Sequence, residues 1–509
     1  MRQLPVLDLP MLPAAALQPA RRPSAPTPEL VEYVTDDVVM PRFHIWTLGC
    51  QMNRSDSEEM AGALVAAGCS EAEGMASADL IVIDTCAIRE SAEQKVIGRM
   101  GVLGRAKEAD PSLRVVLTGC SVRDGDQGAL KRRYPAVDLF LRPDQQTELV
   151  ARLGLAGATT ADRLPHARAT AVAAGAVRRE DPISAWLPII YGCDKTCTYC
   201  IVPLSRGPER SRPYDDVLAE ARSLAELGYQ EVTLLGQNVN SYGHDLPRDA
   251  RFEGVRGGRR LGRSLDLDGR PDFATLLRGI DGHRDADGHP RIPRLRFVTS
   301  HPWDLTDQLI AAMAECPSVC EHLHLPIQSG DDAVLRRMGR QYTVSAYVEL
   351  VDRLRAAVPE MSVTTDVIVG FSGETDAAFQ RTLDLLSSVR YEKVFAAAFS
   401  VRPGTPAARL PDDVPPAIKR ERLNALLALQ EGIGLAVHQQ QVGRVFEVLV
   451  EGMRRTASGG HVEPAQQLSG RDRQHRLVHL DGPVELIGQR VPVLIERAGP
   501  YALVGRLTA

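Results

Sequence analysis

The chain has 509 residues, 44% hydrophobic and 25% charged, with 60 basic and 65 acidic residues for a net charge of -5. That length exceeds what one core supports and points to about three or four domains, while the near-neutral balance excludes a global pull on polyanions, so any nucleic-acid site must be local. No apolar run is long enough to span a bilayer, and Pro5, Pro10, Pro13, Pro19, Pro23, Pro26 and Pro28 break the apolar stretch a secretory signal needs.

Without export, the nine cysteines read as reduced thiols or metal ligands in a cytoplasmic protein. Residues 1–40 read as a disordered extension. From 41 to 153, strand patterns at Phe43–Leu48, Leu80–Asp84 and Leu113–Thr118 alternate with helical ones near 56–67, 90–105 and 145–152. This predicts an open α/β domain. Each strand runs into a cysteine, as Gly49-Cys50, Thr85-Cys86 and Gly119-Cys120. Parallel strands present their carboxyl ends at one edge, where open sheets bind ligands, so the three thiols are expected to converge. Cys69 falls outside the pattern and reads as structural; the bland reading of the trio is likewise three buried thiols.

Residues 154–182, rich in Ala, Thr, Gly and Arg, read as a linker. Next comes the densest cluster, Cys193-Asp194-Lys195-Thr196-Cys197-Thr198-Tyr199-Cys200, with C-x3-C-x2-C spacing. Three thiolates so close can cap three irons of one cubane and leave the fourth iron open. Structural zinc prefers four closed ligands, often as two C-x2-4-C pairs, and no second pair or nearby His completes such a set.

Over 183–415, six strand patterns (Trp186–Tyr191, Glu231–Leu235, Arg294–Thr299, Glu321–Leu325, Ser362–Val369, Lys393–Phe399) are interleaved with helical ones at 214–227, 303–315, 343–358 and 375–389. A partial (β/α)6 barrel is expected, with the polar loops after its strands building the site. An insertion, 243–270, carries Arg256, Arg259, Arg260 and Arg263; it could grip phosphates, but a disordered solvated loop is the favoured reading. Cys316 and Cys320 lack a nearby third ligand and read as core.

Residues 416–439 read as a connecting helix and 440–509 as a small β-barrel of an RNA-binding kind. Its Arg471, Arg473, His475 and Arg476 cluster in one loop, a modest electrostatic footprint for RNA, with a basic but inert β module as the alternative.

With these residues in place, the sequence resembles the methylthiotransferases, radical S-adenosylmethionine (SAM) enzymes with an amino-terminal cluster domain, a central radical domain and a carboxyl-terminal TRAM barrel. Gly49-Cys50-Gln51-Met52-Asn53, Thr85-Cys86-Ala87-Ile88-Arg89-Glu90 and Leu235-Gly236-Gln237-Asn238-Val239-Asn240-Ser241-Tyr242 are similar to the branch that acts on tRNA N6-isopentenyladenosine. Ser372 departs from the family, which usually has Pro there.

The resemblance implies two 4Fe-4S clusters, one on Cys193, Cys197 and Cys200 that binds SAM, and an auxiliary one on Cys50, Cys86 and Cys120. It implies methylthiolation of C2 of isopentenyladenosine at tRNA position 37, with one SAM for the radical and one as methyl donor. Tyr199 would flank the first cluster, and Gln237, Ser300, Gln328 and Arg340 are candidate cofactor contacts. The expected partners are the tRNA anticodon loop, an electron donor and a sulfur source, with the enzyme a monomer. The competing readings are a methylthiotransferase for another tRNA adenosine derivative or a ribosomal-protein side chain, and a non-catalytic RNA-binding protein whose clusters merely hold the fold.

Overall fold

A computed structural model describes residues 40–86, 90–123, 125–155, 177–254, 259–260, 263–264, 268–454 and 467–508. All but Met40 of the extension expected over 1–40, most of the linker, Ala87 to Arg89, and Arg256 of the insertion lie outside the described residues.

The first body is a five-stranded, wholly parallel sheet in the order Ser70–Glu71, Arg42–Thr47, Leu80–Thr85, Arg114–Gly119, Leu139–Phe140. The two outer strands have two residues each, too short to leave an apolar signature. The central strand is buried throughout, as a near-continuous apolar run between two helical layers should be. Successive side chains on a strand point to opposite faces. Ile81 and Ile83 accordingly pack with Val96, Met100 and Leu103, while Leu80 and Val82 pack with Met60, Leu64 and Cys69. Cys69 is thus core, as expected.

Six further strands follow in chain order as two parallel sheets. Ser184–Pro188, Glu231–Leu235 and Arg294–Phe297 form one, and His322–His324, Ser362–Val369 and Lys393–Ala398 the other. A parallel bridge between Leu295 and Val319 joins them into an open partial barrel. The strand expected over Trp186–Tyr191 stops at Pro188; Ile190–Tyr191 instead pairs antiparallel with Arg210–Ser211. The helix expected from 303 starts at Asp307, because the Thr306 hydroxyl accepts the Leu309 N–H and caps it. Cys316 belongs to the barrel core and Cys320 is also buried. In the insertion, the backbone of Arg259–Arg260 pairs with Arg263–Ser264 as a short antiparallel hairpin, where a structureless loop was the favoured expectation.

Helix Pro416–Gln439 leads to a closed five-stranded barrel in the order Val445–Met453, Gln467–Arg471, Leu477–Asp481, Leu503–Leu507, Arg490–Ala498. The strand Gln467–Arg471 carries no apolar alternation. Its Gly470 is required by close approach, since a Cβ there would lie 2.1 Å from the Leu449 carbonyl oxygen.

The basic loop of this barrel corrects the sequence reading. Arg473 donates to the Glu321 carboxylate and to the carbonyls of Pro317 and Val319. Arg476 bonds Glu392, Arg471 pairs with Glu451, and the His475 ring packs 4.8 Å from that of His322. From the opposite side Arg294, fully buried, donates to the carbonyls of Glu447 and Arg471, and Arg296 donates to those of Asp472 and Arg473. Within the basic cluster, Arg473 and Arg476 are spent on docking the barrel, because buried acceptors and carboxylates on the partial barrel outcompete solvent for those guanidinium groups, while Arg471 pairs inside the small barrel. Among the described residues, no helix is long and apolar enough to cross a membrane.

The same dock holds a titratable latch. His438 Nδ1 lies 2.6 Å from the Gly499 carbonyl and Nε2 lies 2.7 Å from a Glu392 oxygen. Both neighbours only accept, so both ring nitrogens donate and the imidazolium is favoured. Burial lowers the His438 pKa, but Glu392 and the carbonyl more than offset it, leaving it above the ordinary 6.5. Burial raises Glu392, but His438 and Arg476 leave it below its ordinary 4.5. The His438 contribution is therefore full below about pH 6.5 and lost as pH rises through its raised folded value; that of Glu392 is lost as pH falls through its lowered one. The thermal midpoint of the wild type minus that of His438→Gln should be positive near about pH 6 and shrink by about pH 9. A constant difference across that range would show that the pair does not hold the latch.

Candidate metal centres

The ladder places the first three thiols. Register pairs Thr47 with Asp84, Asp84 with Thr118, and Thr85 with Gly119, so three adjacent strands end level. Cys50, Cys86 and Cys120 follow on one edge, as expected. Gly119 has φ +94, and a Cβ there would lie 2.2 Å from the Thr85 carbonyl oxygen; one on Gly49 would lie 2.2 Å from Asn53 Oδ1. The glycines let the chain turn out of the sheet directly before Cys50 and Cys120, whereas Cys86 follows Thr85.

Beneath the thiols lies a buried polar network that sequence reading missed. Asn53 Oδ1 accepts from the Cys50 backbone N–H at 3.3 Å and from its Sγ at 3.5 Å, while Asn53 Nδ2 donates to Asp84 Oδ1 at 2.8 Å. Ser57 donates to the other Asp84 oxygen. Burial, with Asp56 nearby, holds the Asp84 carboxyl well above the usual range. Arg206, from the turn after the second cysteine cluster, donates from Nε to Cys120 Sγ at 3.3 Å and from Nη2 to Asp56 Oδ2 at 2.7 Å.

The second trio sits on the loop after Ile190–Tyr191. The Cys193 N–H donates to the Gly207 carbonyl, the Thr198 N–H to that of Met338, and the Ala407 N–H to that of Thr198. Gly192, at φ +76, lets the Pro208 carbonyl approach to 2.0 Å of where a Cβ would stand. Lys195 pairs with buried Asp304 at 2.7 Å and lies 5.5 Å from the Trp303 ring centroid. Burial pushes the Cys193 thiol up to about 12 and the Cys200 thiol up to about 11. Only the thiolate ligates a metal, so loading these sites releases protons. Cys120 is among the groups acting on Cys200, so the two trios face one another across the domain boundary.

All nine cysteines are free. Among the described residues, no three of them bring their sulfurs within 4.8 Å of one another. Zinc, with Zn–S about 2.3 Å, gathers its sulfurs to about 4 Å.

Gln237, Ser300 and Gln328 come from successive carboxyl-end loops of the partial barrel, Arg340 follows the helix Asp332–Arg337, and Tyr199 lies within the cysteine loop. Arg340 Nη2 donates to the Tyr199 hydroxyl at 2.9 Å. Gln237 Nε2, Ser300 Oγ, Gln328 Oε1, and Arg340 Nε and Nη1 are buried with no hydrogen-bond partner in the protein. One such orphan costs about 1–3 kcal/mol, so four neighbouring residues each holding one fit a site built for a polar ligand. Thr299 (φ +66) and Gln328 (φ +75) add left-handed backbone at the same strand ends. Trp303 Nε1 and Asn238 Oδ1 are further orphans that sequence reading passed over. A cleft of about 200 Å³ between the two domains is lined by Thr85, Ser121 and Ile201, which neighbour Cys86, Cys120 and Cys200 in sequence, and by Arg123, Tyr134 and Arg402.

Two family models match parts of this chain. Residues 187–386 match the Radical SAM superfamily and residues 42–142 match the family described as Uncharacterized protein family UPF0004. The chain is 41% identical over 471 residues to a tRNA-2-methylthio-N(6)-dimethylallyladenosine synthase of Symbiobacterium thermophilum, covering 92% of this chain and 94% of the relative. It is 41% identical over 472 residues to one of Chloroflexus aurantiacus, covering 91% of each. Among solved structures, the radical S-adenosylmethionine methyltransferase TsrM from Kitasatospora setae shares the fold, with a TM-score of 0.51 at 14% identity over 82% of this chain and 79% of that one.

Gly119→Ala should destabilise the cluster domain by about 3 kcal/mol, since the left-handed φ and a backbone oxygen both oppose the added methyl. Thermal unfolding measures it; a loss under about 0.5 kcal/mol, the range of ordinary surface changes, would mean the turn is not held as described.

Proposed function

The chain belongs to the radical SAM methylthiotransferase family, in the branch of the tRNA-2-methylthio-N(6)-dimethylallyladenosine synthases, and we propose that its two thiol trios divide the reaction between them. It is a transferase of tRNA processing that carries two 4Fe-4S clusters and uses SAM. Cys193, Cys197 and Cys200 hold the cluster that binds SAM, and Cys50, Cys86 and Cys120 hold the auxiliary one. The observation that carries this reading is the closeness of Cys120 to Cys200 across the domain boundary, with orphaned polar atoms on Gln237, Ser300, Gln328 and Arg340 in the domain of the first trio.

The target, C2 of N6-isopentenyladenosine at position 37, bears an unactivated aromatic hydrogen with no acidic proton for a base to take. The bound clusters and SAM supply the one-electron chemistry and the sulfur, and one further SAM supplies the methyl group. The chain supplies orientation. Gln237, Ser300, Gln328 and Arg340 offer donors and acceptors that only a ligand can satisfy, and Tyr199, held by Arg340, walls the first trio. Arg123 and Arg402 line the cleft through which the anticodon loop presents its base. The enzyme works as a cytoplasmic monomer, with an electron donor and a sulfur source as further partners, and its small barrel binds RNA.

Nucleoside mass spectrometry of tRNA from cells with and without this chain tests the substrate: 2-methylthio-N6-isopentenyladenosine should vanish on deletion. A different methylthiolated adenosine lost instead would move the assignment to another tRNA substrate. In the purified protein, Cys197→Ala should lower the iron content from about eight to about four per chain, abolish turnover and leave tRNA binding within about twofold. If thermal stability and tRNA binding fell together instead, the clusters would be structural and the enzymatic reading wrong.

A further inference from the structure

Arg206 joins the two centres, and neither motif contains it. It is 5% exposed and ends the short helix Val202–Arg206 that follows Cys200. Gly207, at φ +75, then reverses the chain, and its carbonyl accepts the Cys193 N–H at 3.1 Å. One turn therefore touches Cys193 through its backbone and Cys120, in the other domain, through its side chain.

The guanidinium is placed as a charge. Nη2 bonds Asp56, which is 1% exposed and lies on the helix that begins just after Cys50. Nε donates to Cys120 Sγ, and Nη1 is buried without a hydrogen-bond partner. A buried cation with one carboxylate and a donor to spare is costly. A thiolate at Cys120 supplies the missing negative partner. The planar fork reaches sulfur and carboxylate together, which an ammonium group does not. Hydrogen bonds to cluster sulfurs and local charge both set cluster potentials, and a cation favours the more negative, reduced state.

Resting on the assignment of Cys50, Cys86 and Cys120 to the auxiliary cluster, we infer that Arg206 is a positioning residue for that cluster. It pins Cys120 toward the first trio and raises the potential at which the auxiliary cluster accepts one electron. Asp56 opposes it, holding the cation while offsetting part of its charge.

The test uses full-length chain in which Cys193, Cys197 and Cys200 are all replaced by Ala, so that any remaining cluster signal belongs to the other trio. Anaerobic redox titration followed by electron paramagnetic resonance reads the midpoint potential. Arg206→Met should lower the reduced-to-oxidised ratio at a given potential about tenfold, or about 59 mV for one electron. Arg206→Lys, which keeps charge without the fork, should recover part of that shift. Asp56→Asn should move the potential the other way. A potential unchanged or raised by Arg206→Met overturns the inference. Should Arg206→Met fail to hold a cluster, Asp56→Asn decides, and an unchanged or lowered potential there overturns it equally. If the triple Cys→Ala chain binds no iron and sulfide at all, the assignment of the auxiliary trio falls, and the inference with it.

Discussion

Parallel pairing forces neighbouring strands to end at a common level when their register is aligned, and the chemistry of this chain depends on that constraint. In the cluster domain the ladder Thr47, Asp84, Thr118 brings three loops to one edge, although their cysteines lie more than thirty residues apart. In the partial barrel the same rule gathers Gln237, Ser300 and Gln328 around the cysteine loop, because each follows a strand of one parallel set. Neither site is a local motif completed in place. Each is the rim of a sheet, and Arg206 and the Arg123 contact to the Pro403 carbonyl turn the two rims toward each other.

Such a rim is expensive to keep. Left-handed backbone at Thr299 and Gln328, unpartnered donors on Arg340 and Gln237, and a carboxyl group at Asp84 with no solvent exposure all oppose folding. The long apolar strands beneath them offset these costs, with Leu80 to Ile83 and Val232 to Leu235 almost wholly buried. The disagreement between local preference and global fold concentrates where ligands bind, as it does when sites are selected for function rather than stability.

The strands and the thiols were legible because their signals are local: an apolar run, then Gly-Cys or Thr-Cys; or three Cys in eight residues. The Asn53–Asp84 bond and the Arg206–Asp56 bond were not, since their partners stand 31 and 150 positions apart and no pattern in either segment names the other. The strand Gln467–Arg471 escaped for a different reason. Its Gly470 lowers strand propensity, yet only Gly lets the Leu449 backbone close the barrel there. Composition also misled at Arg471 to Arg476. A basic loop on a small barrel has the charge for RNA, but charge alone does not tell which way a loop faces.

That misreading bears on how tRNA must lie. Of the residues that receive the small barrel, Arg294, Glu321, His322 and Glu392 lie at or just before the first residue of a barrel strand, and Arg296 lies two residues further along its strand. The cysteine loop and the cofactor candidates lie at the last. The docked barrel is therefore separated from the carboxyl-end loops by the length of a strand, about 10–26 Å for strands of three to eight residues. A base held at the cleft cannot also rest on the docking loop. On the proposed function, RNA contact by the small barrel falls to its undocked surface and to a part of the tRNA away from the reacting nucleotide, which leaves the choice of base to the partial barrel and the cluster domain.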